Sequence, residues 1–291
     1  MEARGELQLI AEGSEAEIFA WEDGRVLRLL RNPDAQQKVE WEAHAMRAAL
    51  AAGVRVPAVH GTTTVNGRPG LIMERIDGPD LLTLVGGRPW TVLSIGKTSG
   101  QLHARLHGVS APDGIPALKA RLAARIEASD LVPRHLAEFA LSALLDLPDG
   151  DRLCHGDFHP GNIMMSDGEA VLIDWTDATR GDPNADLSRS SLLLRLGDTP
   201  PGVTLLLRTL AFVGRSILVS SYERAYRRPA RRMRSSSRNG RYPSRRTASQ
   251  PTLRACGRSY YASWRSGWQR PASQASPSIQ TVRTERSDHH G

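Results

Sequence analysis

The sequence predicts an α+β fold, in which a small antiparallel sheet with one helix precedes a mainly helical part. Up to about residue 90, short apolar runs alternate with turn signals, which is typical of β-hairpins. One segment there, Gln37–Ala52, is rich in Ala, Glu, Met and Leu and stops at Gly53, which predicts a helix. After Thr91, apolar side chains recur at helical spacing, so most of the remaining elements are predicted to be helices.

The strands of the predicted sheet are short. They are expected at Gln8–Ile10, Glu17–Trp21, Arg25–Leu30, Thr62–Val65 and Gly70–Glu74. Turn signals separate them, since Glu12-Gly13-Ser14 follows the first strand and Glu22-Asp23-Gly24 the second. Asn66-Gly67 favours a tight hairpin between the last two. An extended run, Val54–Val59, follows the helix.

The second part is predicted to contain several helices and one strand-rich segment. The helices are expected at Thr91–Leu106, Ala117–Ile126, Arg134–Leu145, Asp186–Leu196 and Val203–Tyr226. Before the last two helices, strands are expected at Arg152–Cys154, Ile163–Met165 and Ala170–Ile173. A turn at Asp167-Gly168 joins the last two of these strands into a hairpin.

Composition excludes several classes of protein. The 291 residues, 40% apolar and 24% charged, are enough for about two domains and rule out a small disulfide-stapled scaffold. Two cysteines, Cys154 and Cys256, cannot form a disulfide framework, and the acidic N-terminus does not resemble a signal peptide. The most apolar stretch, Val203–Ser220, is interrupted by Arg208 and Arg215, so no membrane span is expected. These features predict a cytoplasmic protein.

Charge is distributed unevenly along the chain. The net charge of +7 is made up of −7 in residues 1–223 and +14 in residues 224–291, where 16 arginines stand against two acids and no lysine occurs. Such an Arg-, Ser- and Pro-rich segment cannot form a packed core, and order is expected to stop near Tyr226. We expect the tail to be a shifted reading frame of a GC-rich gene, the alternative being a natural basic arm. Resequencing of the gene distinguishes the two.

Side chains suited to phosphoryl transfer are concentrated in one segment, Leu153–Trp175. His155-Gly156-Asp157 is followed five residues after the aspartate by Asn162, and Asp174 ends an apolar strand. Transfer of a phosphoryl group requires one carboxylate that orients the attacking hydroxyl and takes its proton, and oxygen ligands that hold Mg²⁺ on the phosphates. A loop and a hairpin can bring these three side chains within reach of one metal ion. The spacing therefore predicts a phosphotransferase site.

From about Leu9 to Tyr226, the chain resembles the aminoglycoside phosphotransferase family. The resemblance is carried, in order, by GSEAEIF, VLRLLR, the helix with Glu42, GLIMERIDG, LHARLH, CHGDFHPGN and IDWTDATRGDPNADL. It implies a bilobal, protein-kinase-like fold with a small antiparallel-sheet N-lobe, residues 1–75, and a mainly helical C-lobe, residues 76–226. The tail, residues 227–291, lies beyond the lobes.

The resemblance also implies an ATP-dependent kinase that phosphorylates a hydroxyl of a small molecule. Gly13, Ser14, Arg28, Glu42, Met73, Glu74 and Arg75 are expected to bind ATP, Asn162 and Asp174 to bind Mg²⁺, and Asp157 to act as the catalytic base. Arg28 stands where the family usually has a lysine that grips the α- and β-phosphates. We expect it to pair with Glu42 and to take the place of the lysine.

The sequence also suggests alternative functions. A metallohydrolase would use His155, Asp157, His159 and Asp174 as metal ligands. A nucleotide-binding but inactive kinase remnant is the main rival, and nucleic-acid binding through the tail, which contains Tyr260, Tyr261, Trp264 and Trp268, is not expected.

Structural roles, and no part in catalysis or ligand binding, are expected for several further side chains. His103 and His107 are interpreted as packing residues and Cys154 as inert. Asp182 and Asp186 are interpreted as structural residues that fix the loop after the metal site and cap the following helix. Acidic residues of the helical part, Asp113, Asp130, Asp146, Asp149 and Asp151, suggest a cationic or polyhydroxylated acceptor. The oligomeric state is left open.

Overall fold

A five-stranded antiparallel sheet forms the first part of the computed structural model, which describes residues 7–196 and 205–228. Its elements are β1 (Leu9–Glu12), β2 (Ala16–Trp21), β3 (Arg25–Leu30), α1 (Gln36–Ala51), β4 (Val59–Val65) and β5 (Arg68–Glu74). The strand order is β1-β2-β3-β5-β4, so β3 lies at the centre. Helix α1 packs beside β4 and β5 and buries Val39, Ala43, Met46 and Ala49. The predicted sheet with one helix is confirmed.

The later part is mainly helical and contains two small sheets. Its elements are α2 (Leu81–Gly87), α3 (Val92–Leu106), α4 (Leu118–Glu127), α5 (Arg134–Leu145), β6 (Arg152–Cys154), β7 (Ile163–Ser166), β8 (Glu169–Leu172), β9 (Thr179–Gly181), α6 (Pro183–Leu196) and α7 (Leu205–Arg227). Strand β7 pairs with β8, and β6 with β9. The α+β class predicted from the sequence is therefore confirmed.

Two elements of this part were not predicted. Helix α2 contains two glycines, which weaken any helix signal. Its N-cap is Asp80, whose carboxylate accepts a hydrogen bond of 2.8 Å from the Thr83 amide. Strand β9 is only three residues long and forms because it pairs with a distant strand, Arg152 opposite Gly181. Neither element is recognisable from local periodicity, since tertiary contacts stabilise both.

Close packing between α3 and α7 fixes the position of the last described helix. Two glycines of α3 allow the two backbones to approach, because a Cβ on Gly96 would lie 2.8 Å from Leu218 O and one on Gly100 would lie 2.2 Å from Tyr222 O. Only glycine fits at such distances. As a result, the Tyr222 side chain is fully buried next to Phe158 of the segment singled out in the sequence.

The opposite face of α7 exposes apolar side chains. The exposed fraction is 68% for Phe212, 57% for Leu210 and 37% for Ile217. If the tail is a shifted reading frame, the sequence predicts uncovered apolar surface around Leu205, Phe212 and Ile217; the Leu205 side chain and the tail beyond residue 228 lie outside the described residues. Helix α7 ends at Arg227, next to the predicted limit at Tyr226. No helix in the described ranges is long and apolar enough to cross a membrane.

Candidate active site

A cleft of about 460 Å³ lies between the sheet and the helical part. The residues predicted from the sequence that line it are Gly13, Arg28, Glu42, Met73, Glu74, Arg75, Asp157 and Asp174. Ser14 and Asn162 do not line the cleft, but Asn162 is buried directly beside Asp157. The fold thus brings residues separated by more than a hundred positions along the chain to one site.

The loop that carries Asp157 is anchored by a buried carboxylate. The two oxygens of Asp186 accept hydrogen bonds from the backbone amides of His155, at 2.7 Å, and Gly156, at 3.0 Å. Gly156 has a φ of +78°, and a Cβ there would lie 2.3 Å from Asp177 O, so the loop requires glycine at this point. These contacts fix the backbone immediately before Asp157. The sequence predicts a structural role for Asp186 in a different loop, the one after the metal site.

Asp157 is surrounded by donors and positive charge. Asn162 Nδ2 donates to the Asp157 backbone oxygen at 2.9 Å and to its Oδ2 at 3.2 Å, and His159 Nε2 lies 3.5 Å from Oδ2. Arg189 Nη2 lies 3.8 Å from Oδ1. Burial by itself raises the pKa of Asp157, but the His159 hydrogen bond and the charges of His159, His155 and Arg189 outweigh it and lower the pKa to about 2. Asp157 is therefore ionised at neutral pH.

Asp174 projects into the cleft from an unusual backbone conformation. Its φ is +61°, a left-handed value that costs a non-glycine residue about 1 kcal/mol and is concentrated at functional sites. Its Oδ1 accepts a hydrogen bond of 2.7 Å from Thr176 Oγ1 and lies 3.8 Å from Arg28 Nη2. The carboxylate is thus held in place at one edge while its side chain keeps 26% of its surface exposed.

Arg28 and Glu42 form the ion pair predicted from the sequence. Arg28 Nη1 donates to Glu42 Oε2 at 2.8 Å, and Arg28 Nη2 donates to Thr176 Oγ1 at 2.6 Å. Both charged side chains are buried, so neither position faces solvent. The arginine therefore links the central strand β3, helix α1 and the segment that follows Asp174.

Arg28→Lys is expected to retain phosphoryl transfer, because a lysine ammonium can still meet Glu42 and the phosphates. Arg28→Ala should raise the KM for ATP by about tenfold or more, since a charge-assisted contact to phosphate is lost. It should also lower Tm, because Glu42 is left as an unpaired buried charge.

The double variant Arg28→Ala/Glu42→Gln separates the two effects. We expect it to recover much of the Tm without recovering the KM, as measured by thermal unfolding and initial rates. Equal KM values in the wild type and in Arg28→Ala would show that Arg28 does not contact the nucleotide.

Met73, Glu74 and Arg75, which the family resemblance implies would present backbone groups to the adenine of ATP, have some of these groups already occupied. The Glu74 amide donates to Ala58 O at 2.8 Å, and the Arg75 amide donates to Gly24 O at 3.1 Å. The Glu74 carboxylate accepts hydrogen bonds from Arg55, so this side chain already has a partner within the protein. A ligand at this end of the cleft would have to use other groups of the segment, such as backbone carbonyls or the amide of Ile76, which also lines the cleft.

Two buried histidines join the anchoring carboxylate to α7. His103 Nε2 and His107 Nε2 each lie 3.2 Å from Asp186 Oδ2, while their Nδ1 atoms lie 2.6 Å from Tyr222 OH and 2.7 Å from Tyr226 OH. With both rings neutral, each Nε2–H donates to Asp186 and each Nδ1 accepts from a tyrosine hydroxyl, an assignment made from the network. The histidines are buried, as predicted, but their acidic partner lies far away in the sequence.

The ligand set of a metallohydrolase is not assembled. His155 Nε2 lies 3.1 Å from the backbone oxygen of Ile173 and is fully buried. Within residues 7–196 and 205–228, the one group of His, Cys, Asp or Glu side chains compact enough for a shared ion is His103, His107 and Asp186, whose ligand atoms already have hydrogen-bond partners. Burial also raises the pKa of the Cys154 thiol, in keeping with the predicted inert role.

Stability is expected to fall as the pH drops from about 6.5 to 4. Burial lowers the pKa of His103 to about 4, against an ordinary value near 6.5, so in this window the unfolded chain binds a proton that the folded chain does not. The corresponding loss is about 3 kcal/mol in the free energy of unfolding. Urea unfolding at several pH values measures it.

His103→Gln should flatten this pH dependence by about one proton, since the titrating group is removed. His44→Gln is the matched control, because His44 is exposed on α1. An unchanged slope in His103→Gln would show that another group causes the acid sensitivity.

The sequence did not indicate a cluster of arginines that surrounds Asp177, close to Asp157. Asp177 Oδ1 accepts hydrogen bonds from Arg121 Nη2 at 2.8 Å and from Arg125 Nη2 at 2.6 Å, both from α4. Arg189 of α6 lies with its Nη2 3.8 Å from Asp177 Oδ2, and its Nε donates to Gly156 O. No local pattern signals this cluster, because α4 and α6 meet Asp177 only in the folded chain.

Comparison with solved structures shows the same fold in small-molecule kinases. A thermostable mutant of aminoglycoside phosphotransferase APH(4)-Ia, apo form, is 19% identical, with 76% of this chain and 84% of that chain covered and a TM-score of 0.51. Aminoglycoside-3'-phosphotransferase of type VIII is 20% identical, with 75% and 90% covered and a TM-score of 0.50. Amicoumacin kinase hAmiN, in complex with AMP-PNP, Ca²⁺ and Ami, is 15% identical, with 75% and 72% covered and a TM-score of 0.54.

The comparison with a protein-family model shows the family of the chain as well as its fold. A search of curated proteins gave no significant match. The model of the phosphotransferase enzyme family (APH) matches residues 6–229, which include every residue that lines the cleft and the packed helices α3 and α7. Because this match covers well over half of the chain, the protein belongs to the phosphotransferase enzyme family.

Proposed function

We propose that the protein transfers the γ-phosphoryl group of ATP, in the presence of Mg²⁺, to a hydroxyl group of a small molecule. The observation that carries this proposal is the meeting of Asp157 and Asp174 in one cleft, with Asn162 beside the first and Arg28 beside the second. These are the residue types that phosphoryl transfer requires. In this proposal the N-lobe is residues 1–75 and the C-lobe residues 76–226.

The residues present fit a magnesium ion. Asp174 offers a carboxylate, and Asn162 uses its Nδ2 to donate to Asp157, which leaves its amide oxygen to act as a ligand. Mg²⁺ prefers such oxygen ligands and is usually shared between a few side chains and phosphates. When bound, the ion supplies positive charge to the phosphate oxygens.

Asp157 orients the acceptor in this proposal. Its ionised carboxylate accepts a hydrogen bond from the attacking hydroxyl and takes the proton as the new oxygen–phosphorus bond forms. The bond between the γ-phosphorus and the β,γ-bridging oxygen of ATP breaks, and ADP is the leaving group. The low pKa makes it a weak base, which suits a loose transition state in which the hydroxyl proton leaves late. Arg28, held by Glu42, is assigned to the α- and β-phosphates, and the loop with Gly13 and Ser14 to covering them.

Two of the structural relatives contain bound small molecules besides the nucleotide analogue. One APH(4)-Ia structure is a ternary complex with AMP-PNP and hygromycin B, and the amicoumacin kinase complex contains Ami. At 15–20% identity these likenesses do not carry an acceptor over to the present chain. We therefore propose a small hydroxylated acceptor without naming a compound on this ground.

The test measures both nucleotide binding and phosphoryl transfer. Isothermal titration with AMP-PNP, with Mg²⁺ and with EDTA, should show binding that depends on Mg²⁺, and incubation with radiolabelled ATP and a panel of hydroxylated compounds should label at least one of them. Binding without any transfer would favour the inactive remnant. Stoichiometric zinc that copurifies, with no nucleotide binding, would favour the hydrolase.

A further inference from the structure

We infer that the acceptor carries an anionic group, a carboxylate or a phosphate, and that Arg125 and Arg189 bind it next to Asp157. This inference rests on the proposed function, because it names the class of substrate for the same cleft. Both arginines line the cleft together with Asp157 and Asp177. They lie on the helical side, on α4 and α6, whereas Arg28 lies on the sheet side.

Arg189 is held at a defined distance from the catalytic carboxylate. Its Nε donates to Gly156 O, and its Nη2 lies 3.8 Å from both Asp157 Oδ1 and Asp177 Oδ2. An oxyanion bound to this guanidinium group would therefore lie close to the atom that takes the hydroxyl proton. Such a position can align a hydroxyl of the same molecule with Asp157.

The cluster has more positive than negative charge. Three guanidinium groups, from Arg121, Arg125 and Arg189, face the carboxylates of Asp157 and Asp177, which leaves one net positive charge. Arg121 pairs with Asp177 and has 16% of its side chain exposed, while the exposed fractions of Arg125 and Arg189 are 46% and 38%. The excess charge is thus at the surface of the cleft.

Hydrogen-bond donors remain for a ligand. A guanidinium group has five N–H donors arranged in a fork that suits carboxylate and phosphate groups. Arg125 uses Nη2 to bind Asp177, and Arg189 uses Nε to bind a backbone oxygen. Their exposed surface allows the other N–H groups to bind an oxyanion.

The other carboxylates of the cleft wall do not compensate this charge, because each has a basic partner of its own. The pairs are Glu12 with Arg31, Glu15 with Lys38, Glu42 with Arg28, Glu74 with Arg55 and Asp77 with Arg75. Apart from Asp174, which the proposed function assigns to Mg²⁺, the net charge near Asp157 is therefore set by the arginine cluster.

The acidic residues that suggested a cationic acceptor lie elsewhere. None of Asp113, Asp130, Asp146, Asp149 and Asp151 lines the cleft. Asp149 pairs with Lys119 and Asp151 with Arg152. A polycationic acceptor would instead meet Arg125 and Arg189, and like charges brought together at a binding site lower affinity.

Matched sets of acceptors that differ only in charge test the inference. Gluconate, gluconamide and glucamine share one polyol chain, and 4-hydroxybenzoate, 4-hydroxybenzamide and 4-hydroxybenzylamine share one ring. Binding to the full chain with Mg²⁺ and AMP-PNP is measured by ligand-observed NMR, and phosphorylation by mass spectrometry with ATP. We expect the carboxylate member of at least one set to bind about tenfold more tightly than the amine.

Arg125→Glu should abolish or reverse this preference while the Kd for AMP-PNP stays unchanged, because the inference places Arg125 on the acceptor. The matched control is Arg134→Gln on α5, where the side chain is 93% exposed, and it should change neither quantity. Amine binding as tight as carboxylate binding, or no binding of any carboxylate member, would overturn the inference. So would a loss of AMP-PNP affinity in Arg125→Glu, which would place the arginine on the nucleotide phosphates.

Failure of the proposed function gives a different result. If AMP-PNP does not bind the wild type, the kinase proposal fails, and NMR of the nucleotide-free chain still measures whether carboxylates are preferred over amines. If AMP-PNP binds and an amine is the phosphorylated member, the kinase proposal stands and the anionic acceptor is wrong.

Discussion

Asp157→Asn is expected to lower kcat for phosphoryl transfer by about 10³-fold and to change the Kd for AMP-PNP by no more than a few-fold. Asparagine keeps the shape of the side chain but cannot take a proton, and Asp157 is assigned to the acceptor hydroxyl. The contacts of the loop to Asp186 involve the backbone of His155 and Gly156, so they should survive the substitution. Initial rates and isothermal titration measure the two quantities.

The matched control for this variant is Asp167→Asn, which makes the same chemical change in an exposed turn with a φ of +51° that asparagine tolerates. Its kcat and Kd should equal those of the wild type. A comparable loss of AMP-PNP binding in Asp157→Asn would identify Asp157 as a metal ligand or a structural residue, and the assignment as base would be abandoned.

The second large effect is expected for Asp174. Asp174→Asn should reduce the affinity for AMP-PNP in the presence of Mg²⁺ to the level that the wild type shows in EDTA, because the main carboxylate ligand is lost. Asparagine is preferred to alanine here, since the left-handed backbone at this position is easier for asparagine to adopt. Titration with and without Mg²⁺ measures the change.

Asn162→Ala tests the second proposed metal ligand and is compared with Asp174→Asn. As the second ligand, Asn162 should matter less than Asp174, so this variant should retain part of the Mg²⁺ dependence. Thermal unfolding of both variants checks that the fold is intact. If Asp174→Asn binds AMP-PNP with the Mg²⁺ dependence of the wild type, Asp174 does not hold the ion.

The local pattern was sufficient for most of the sheet and for the catalytic segment. Hairpin signals such as Asn66-Gly67 act over a few residues, and the observed β4–β5 hairpin turns at that point. Asp157, Asn162 and Asp174 lie within one short segment, and the fold of that segment, a loop followed by a hairpin, is governed by nearby contacts. Short-range interactions of this kind can be predicted from periodicity and turn residues.

Contacts between residues far apart in the sequence were harder to predict. Strand β9 and the short helix α2 escaped prediction because distant partners stabilise them. His103 and His107 were recognised as buried, but not as donors to Asp186, since nothing in their surroundings along the chain indicates a partner about 80 residues away. The hydroxyl groups of Tyr222 and Tyr226 complete a network that exists only once α7 lies against α3.

The sequence by itself determined the kind of fold and the segment that carries the proposed reacting groups, because short-range spacing fixes which side chains a loop can present together. Only the tertiary structure decided which charges lie next to Asp157. Counted along the chain, residues 1–223 are acidic, yet the acids beside the cleft are paired and the arginines of α4 and α6 converge on Asp177. Electrostatic interactions fall off with distance and are screened by solvent, so the local arrangement of charges and not their total sets the preference of the site.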